Sequence, residues 1–393
     1  MKIFVLGNIN AGKSYLVERL CRLLPDYSVL QIDEYRKKYC DGSIEKEEWL
    51  WSHFAKDVLS QEKAIVEFSG GGKIAENIIS GLTPKTCIVL KMLEDVSVCL
   101  ERIKTKDFSV TPYPKYPGAE SLEETIVRID RNMKNGIIEN TWSSSAIKIF
   151  DINDVTELEK IPFIHYEKTI KLINHYKGTN DKMFSFGSMG RGELTVNSDV
   201  DLFLLSNKDA SYHAELISTC FDKVSVMGNE VVIREDGILI ELDVIHDVKE
   251  AELFYSQSNI KNTKATIIFG DELLEKQLKE YKNKERNITE ELKFITERLN
   301  YYVLSLPPLM QKGDEYKYFF HNNIIVHEYV KLKAILAGVI DYNYLPRMAK
   351  HYLSDDEWSK IIYSFGDDMI KHYETIKILS DEIIRIIKAR YLL

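Results

Sequence analysis

The chain has 393 residues and 45% of them are hydrophobic, which is enough for two or three domains with buried cores. Its formal net charge of -9 argues against nonspecific binding of nucleic acid, because such binding relies on Lys and Arg side chains that neutralise phosphates. The 5 cysteines are odd in number and lack CxxC spacing, so they predict neither a disulfide framework nor a zinc site. No apolar stretch approaches the roughly 20 residues that cross a bilayer, so we expect a soluble, cytoplasmic protein without a membrane partner.

Short β-branched runs alternate with helical patterns over residues 1–150. This alternation predicts an α/β domain with a doubly wound parallel sheet. The five predicted strands cover residues 3–6, 29–32, 64–68, 87–90 and 147–150. The polar segment 151–160 lacks a strong helix or strand pattern and predicts a connection to a second domain.

The first predicted strand leads into the sequence GNINAGKS at residues 7–14, which has the spacing of a P-loop. In such a loop, backbone N–H groups wrap a phosphate at a helix N-terminus, while Lys13 supplies positive charge and the Ser14 hydroxyl ligates one Mg²⁺. The alternative is a glycine-rich turn without a ligand. The predicted nucleotide-binding residues are Gly7, Asn10, Ala11, Gly12, Lys13, Ser14 and Tyr15.

Acidic residues follow two of the predicted strands. Asp33 stands after the second strand, where a side chain points into the ligand crevice of a parallel sheet and could accept the proton of an acceptor hydroxyl. Glu34 competes for this role, and Asp33 could instead be a helix N-cap. Glu67 ends the third strand and could orient a Mg²⁺-bound water, or it could be a solvated strand end.

Basic residues surround a proline-rich segment at residues 111–117. Arg102, together with Lys104 and Lys106, could neutralise charge on a transferred phosphoryl group, whereas Arg128 and Arg131 fit a charged helix face. The P-loop, Asp33 and the basic region around Arg102 together resemble small P-loop kinases of the shikimate, gluconate and adenylate kinase type. The resemblance covers about residues 1–150 and implies phosphorylation of a small hydroxylated acceptor from ATP, with Lys13, Asp33 and Arg102 as catalytic residues.

A second, smaller mixed α/β domain is predicted over residues 163–287. Its predicted strands cover residues 183–186, 201–205, 230–234 and 238–245. The last two flank Asp236 and Gly237, a dipeptide that strongly favours a β-hairpin.

Two aspartates, Asp199 and Asp201, are spaced to leave the same face of a strand, as divalent-metal binding requires. A third carboxylate is expected from Asp243 on a later apolar strand, with Glu241 as the weaker alternative. Gly187 would let the backbone approach a triphosphate, and Ser188 could donate a hydrogen bond to it. Arg191 could also contact the phosphates, or it could be an exposed loop residue.

The segments 187–193 and 197–202, with the later aspartate, resemble the signature of DNA polymerase beta-type nucleotidyltransferases, and within them the small-molecule and protein-modifying enzymes. The resemblance implies that Asp199 and Asp201 bind two Mg²⁺ ions, that Asp243 helps to bind them and to activate the attacking group, and that Gly187 and Ser188 bind the triphosphate. Attack on the α-phosphorus would expel pyrophosphate.

From residue 288 the apolar period becomes helical, as in Leu292, Ile295 and Leu299, and predicts a helical domain over residues 288–393. Ser354 and Glu357 predict a capping box. This domain resembles the helical substrate domain of kanamycin-type nucleotidyltransferases, on a pattern that includes residues 301–302, 312–314 and 342–346. His327, Glu328, Lys331 and Lys350 could reach a ligand, although a core histidine and solvated lysines are the favoured interpretation.

These motifs predict a bifunctional ATP- and Mg²⁺-dependent transferase. It would combine a small-molecule kinase with a nucleotidyltransferase that adenylylates a hydroxyl of a sugar-like or aminoglycoside-like substrate. The alternative is a regulatory or toxin-type nucleotidyltransferase that modifies a protein or a tRNA, with the P-loop domain as a nucleotide sensor. Nucleic-acid end repair is disfavoured by the acidic composition. Sequence leaves open both acceptors, the nucleotide base and the oligomeric state.

Overall fold

The structure, a computed structural model, describes residues 1–105, 113–114, 121–257, 260–283, 287–339, 349, 351–362 and 369–391. It divides into two compact units. The first unit comprises Met1–Ala251 and Asn262–Lys276, and the second comprises Glu252–Lys261 and Gln277–Leu393. The predicted connection at residues 151–160 lies inside the first unit.

The first unit begins with a sheet of five parallel strands, as the sequence predicts. The strand order in this sheet is β2-β3-β1-β4-β5. Apolar side chains on both faces of β1, β3 and β4 are buried, which is expected where helices cover both sides of a parallel sheet. The strands are β1 (Lys2–Gly7), β2 (Ser28–Gln31), β3 (Ala64–Phe68), β4 (Cys87–Met92) and β5 (Ala146–Ile152).

Seven helices accompany this sheet in the described residues. Several begin where a side chain accepts a backbone N–H of the first turn; Ser121 and Glu124, for example, form a complete capping box. The helices are α1 (Lys13–Leu23), α2 (Ile32–Tyr39), α3 (Ile44–Ser60), α4 (Gly72–Gly81), α5 (Val96–Ile103), α6 (Leu122–Lys134) and α7 (Ile137–Trp142).

The second sheet of the first unit has six strands in the order β11-β6-β7-β10-β9-β8. Only the β7–β10 pair is parallel among the described ladders of this sheet. The predicted hairpin between β9 and β10 is confirmed, and Asp236 and Gly237 have the positive φ values of 53° and 79° that a tight primed turn requires. The strands are β6 (Lys182–Ser185), β7 (Val200–Leu205), β8 (Val224–Met227), β9 (Glu230–Glu235), β10 (Ile238–Ile245) and β11 (Ile267–Phe269).

Among the described residues, four α-helices border this sheet: α8 (Phe163–His175), α9 (Gly187–Arg191), α10 (Ala210–Ile217) and α12 (Thr263–Thr266). Helix α11 (Glu252–Gln257) belongs to the second unit, and α13 (Glu272–Lys282) spans the division. The polar segment predicted as a connection contains a 3-10 helix, Val155–Lys160. Its Leu158 side chain is buried, although the surrounding residues are polar.

One hydrophobic cluster runs through both sheets of the first unit. It contains Ile3 and Leu90 of the first sheet, Tyr166 of α8, and Leu202 and Leu242 of the second sheet. The two sheets therefore share a core.

The second unit is helical, and its apolar period is confirmed: Leu292, Ile295 and Leu299 are buried on one helix. The predicted capping box is also confirmed. The Ser354 N–H donates to the Glu357 carboxylate at 2.9 Å, and the Glu357 N–H donates to the Ser354 hydroxyl at 3.2 Å. Its main helices are α14 (Ile288–Lys312), α15 (Glu315–Leu336), α16 (Asp355–Ile362) and α17 (Met369–Tyr391). Residues 342–346 and Lys350 lie outside the described residues. Across the described chain, no helix is both long and apolar enough to span a bilayer.

Candidate functional site

The P-loop connects the end of β1 to the start of α1. Gly12 is the N-cap of α1 and has a φ of 93°, a conformation that favours glycine. A Cβ atom at Gly7 would lie 3.0 Å from the Met92 carbonyl oxygen, so this position also leaves little room for a side chain. The Lys13 ammonium donates to the Asn8 carbonyl at 2.7 Å, which holds its charge over the loop.

Ser14 meets a buried carboxylate at the edge of the sheet. Its hydroxyl donates to Glu67 at 3.2 Å, and the Gln31 side-chain amide donates to the same carboxylate. Glu67 is only 8% exposed, so it is not a solvated strand end. A hydroxyl beside a buried carboxylate offers the hard oxygen ligands that suit Mg²⁺.

Asp33 is the second residue of α2, because the strand ends one residue earlier than predicted and Ile32 begins the helix. It is not the N-cap, a position held by Gln31. Asp33 pairs with Arg36 at 3.0 Å and accepts a hydrogen bond of 2.6 Å from the Tyr113 hydroxyl. Glu34 is exposed and pairs with Lys37.

A cavity of about 880 Å³ joins the P-loop to Asp33. Arg102 lines it and donates to the Asn10 carbonyl at 2.8 Å, which places a cation at the loop between β1 and α1. Arg128 also lines the cavity, whereas Lys104 and Arg131 are not among its lining residues and Lys106 lies outside the described residues. Other lining residues include Asn10, Ala11, Gly12, Lys13, Ser14, Tyr15, Arg36, Trp51, Glu67 and Tyr113.

The second site lies where α9 meets β7. Gly187 and Ser188 begin α9, and Gly187 has a φ of 55°. The Ser188 hydroxyl donates to the backbone carbonyl of Asp199 at 3.4 Å. Arg191 ends α9 with its side chain 11% exposed and paired with Glu193 at 2.9 Å, so it is not an exposed loop arginine.

Three carboxylates meet beside Gly187. Oxygen atoms of Asp199, Asp201 and Glu241 lie within 4.8 Å of one another. The parallel register of β7 and β10 pairs Glu241 with Asp201 and pairs Asp243 with Phe203. Asp243 therefore lies on the same face one pleat further along, and the third member of the cluster is Glu241, the weaker alternative from the sequence.

The electrostatics of this face follow from burial and like charge. Burial, and after it the negative charges of Glu230 and Glu241, together raise the pKa of Asp243 to about 6. Burial also raises the pKa of Glu241, with added repulsion from Glu230 and Asp199. Like charges this close repel, and a cluster of carboxylate oxygens fits a divalent cation such as Mg²⁺.

Two residues that belong to no sequence motif form hydrogen bonds to backbone carbonyls beside this site. The His165 imidazole is hydrogen-bonded to the Ser198 carbonyl at 3.0 Å, immediately before Asp199. Lys148, on β5 of the first sheet, donates to the Gly192 carbonyl at 3.0 Å. Neither contact had a signal in the sequence, since each joins residues far apart in the chain.

In the helical unit, Glu328 is buried and pairs with Arg298 at 3.4 Å, and burial raises its pKa. His327 is exposed rather than a core residue.

The sheets and their sites define a class: a transferase with a P-loop α/β domain joined to a nucleotidyltransferase domain. The family described as Nucleotidyltransferase domain matches residues 167–302. A protein of Methanocaldococcus jannaschii that carries the name "Putative protein adenylyltransferase MJ0604" is 33% identical over 75 residues, which cover 18% of this chain and 75% of the relative. The chain belongs to the nucleotidyltransferase domain family.

Solved structures of small-molecule kinases and of a nucleotidyltransferase-like protein are similar to parts of the chain. A shikimate kinase from Acinetobacter baumannii is 18% identical and covers 45% of this chain and 95% of its own, with a TM-score of 0.29. A nucleotidyltransferase-like protein from Exiguobacterium sibiricum is 13% identical over 57% of this chain and 76% of its own, with a TM-score of 0.30. A gluconokinase from Sinorhizobium meliloti is 16% identical over 46% of this chain and 97% of its own, with a TM-score of 0.28.

Proposed function

We propose that this chain is a bifunctional transferase that uses ATP and Mg²⁺ at two separate sites. The observation that carries the proposal is the carboxylate cluster of Asp199, Asp201 and Glu241. The cluster lies beside the short turn formed by residues 186–193, which we call the Gly187 turn. Family membership supports nucleotidyl transfer at this cluster. The P-loop and its cavity support a second nucleotide site for phosphoryl transfer.

At the nucleotidyltransferase site, Asp199, Asp201 and Glu241 would hold Mg²⁺, for which the sequence predicts two ions. Bound Mg²⁺ would neutralise the triphosphate and stabilise the charge of the transition state. Gly187 and Ser188 bind the triphosphate, and Asp243 accepts the proton of the acceptor hydroxyl. The hydroxyl oxygen forms a bond to the α-phosphorus, the bond to the β-phosphate oxygen breaks, and pyrophosphate leaves.

At the P-loop site, Lys13 and Arg102 neutralise the phosphates, and Ser14 with Glu67 would hold one Mg²⁺. Asp33 lines the same cavity and accepts the proton of a small hydroxylated acceptor. The acceptor oxygen forms a bond to the γ-phosphorus, the bond from the γ-phosphorus to the β,γ-bridging oxygen breaks, and ADP leaves.

A second candidate function is adenylylation of a protein, with the P-loop domain acting as a nucleotide sensor. The name of the Methanocaldococcus jannaschii relative favours this acceptor class. The two candidates share the chemistry at Asp199 and Asp201. They differ in the acceptor and in whether the P-loop domain transfers a phosphoryl group or senses nucleotide.

Two labels in ATP separate the reactions. Transfer of an α-phosphate label reports nucleotidyl transfer, and transfer of a γ-phosphate label reports phosphotransfer. We expect an Asp199→Asn, Asp201→Asn double variant to lose the first and Lys13→Ala to lose the second. A protein-sized α-labelled adduct would favour the second candidate, and loss of both activities in either variant would contradict two independent sites.

A further inference from the structure

We infer that Lys148 is a positioning residue for nucleotidyl transfer, through which the P-loop sheet holds the Gly187 turn of the neighbouring site. The inference rests on the proposed nucleotidyl transfer and extends it to a residue outside the family match at residues 167–302. Lys148 lies on β5, the edge strand of the first sheet, where it is paired with Ile88 of β4.

The contact is a charge-assisted hydrogen bond at the end of α9. The Lys148 ammonium donates to the Gly192 carbonyl at 3.0 Å. Gly192 is the C-cap of α9 with a φ of 76°, and a Cβ atom there would lie 2.8 Å from the same ammonium. A cation at a helix C-terminus stabilises its carbonyl groups, so this bond holds one end of α9 in place.

The other end of α9 carries the phosphate-binding residues. Gly190 N–H donates to the Phe186 carbonyl at 2.7 Å, and Glu193 N–H donates to the Ser188 carbonyl at 2.8 Å. These bonds make residues 186–193 one short, closed turn. A displacement at Gly192 is therefore transmitted to Ser188.

A second hydrogen bond holds the chain next to the aspartates. His165 on α8 is hydrogen-bonded to the Ser198 carbonyl at 3.0 Å, next to Asp199. The following residue, Tyr166, packs edge-on against Phe150 of β5, with ring centroids 5.9 Å apart. Lys148 of β5 thus holds the Gly187 turn, and His165 holds the residue before Asp199. His165 is itself placed next to β5 by its neighbour Tyr166.

The test compares Lys148→Met, which keeps the aliphatic stem, with Lys148→Arg, which keeps a donor. The matched control is Lys85→Met, because the Lys85 ammonium also donates to a backbone carbonyl, that of Ser143, at 2.7 Å. Burial lowers the pKa of both lysines. We expect Lys148→Met to lower kcat/KM for α-label transfer about tenfold, with Lys148→Arg recovering most of it and Lys85→Met unchanged.

Two further readouts separate positioning from general destabilisation. Lys148→Met should leave γ-label transfer at the P-loop unchanged, and it should speed amide hydrogen exchange over residues 187–193, whereas Lys85→Met should not. Unchanged exchange in that segment, or equal losses in Lys148→Met and Lys85→Met, would overturn the inference. Absence of α-label transfer in the wild type would instead contradict the proposed function, and the exchange comparison would still show whether Lys148 holds the Gly187 turn.

Discussion

Gly187 and Asp201 are packed so closely that a Cβ atom on Gly187 would lie 1.7 Å from Oδ2 of Asp201. The turn that is proposed to hold the triphosphate therefore rests directly on a carboxylate that is proposed to hold Mg²⁺. The φ of 55° at Gly187 adds a second requirement for glycine.

The substitution Gly187→Ala should displace the Asp201 carboxylate and lower α-label transfer roughly 100-fold, because misplacement by about 1 Å has effects of that size. Gly228→Ala is the control, since Gly228 has a similar φ of 64° but no neighbouring atom within 4 Å of the added Cβ. It should cost about 1 kcal/mol of stability and leave activity unchanged. Equal activity losses in the two variants would show that backbone strain, not the contact with Asp201, is responsible.

The third carboxylate can be identified by comparing Glu241→Gln with Asp243→Asn. If Glu241 is a ligand, as its distance to Asp199 and Asp201 indicates, Glu241→Gln should weaken Mn²⁺ binding about tenfold or more. Asp243→Asn should bind Mn²⁺ nearly as the wild type does and lose turnover. Isothermal titration and α-label transfer measure the two effects, and the reverse pattern would assign Asp243 as the ligand.

Lys13→Ala should remove phosphoryl transfer without removing nucleotidyl transfer. The ammonium lies over the P-loop, and loss of such a group costs roughly 100-fold or more in kcat. Lys37→Ala is the control, because Lys37 pairs with Glu34 outside the cavity. A parallel loss of α-label transfer in Lys13→Ala would mean that the two sites do not act independently.

Glu357 gives a pH-dependent contribution to the stability of the helical unit. Burial alone would raise its pKa, but hydrogen bonds from Lys333, Ser354 and Tyr329 outweigh burial and lower the pKa to about 2 from 4.5. Because the folded-state pKa is lowered, the stabilisation is present above about pH 4.5 and is lost as the pH falls towards 2.

We expect Glu357→Gln to destabilise this unit by about 2–3 kcal/mol at pH 7 and by clearly less at pH 3. Hydrogen exchange of α16 amides measures the difference. Asp356→Asn on the same helix is the control, since its pair with Lys360 is exposed and contributes little. A difference between wild type and Glu357→Gln that does not change with pH would contradict the ion-pair explanation.

Local patterns predicted most of the fold. The strands of the first sheet are short apolar runs, and the structure buries the three central ones, β1, β3 and β4, as a parallel sheet requires. Asp236 and Gly237 specify a turn that few other dipeptides can form, so the hairpin was also visible from the sequence. These features depend on neighbouring residues only.

Features that depend on pairing between distant segments were not predictable. Alternation places Glu241 and Asp243 on one face of β10, but only the register with β7 decides which of them opposes Asp201. The contact between Lys148 and Gly192 likewise requires two sheets to meet. The site residues themselves stay predictions until activity is measured.

Because the two sheets share a core, neither sheet can be separated from the other without exposing apolar side chains. Ile3, Tyr166 and Leu242 belong to one apolar cluster, so expressing either half alone would leave buried surface in contact with water. A proteolytic nick between residues 153 and 160 should therefore leave the fragments associated. On heating, both sheets should melt in one transition, and a truncated fragment that contains only the P-loop sheet should be prone to aggregate.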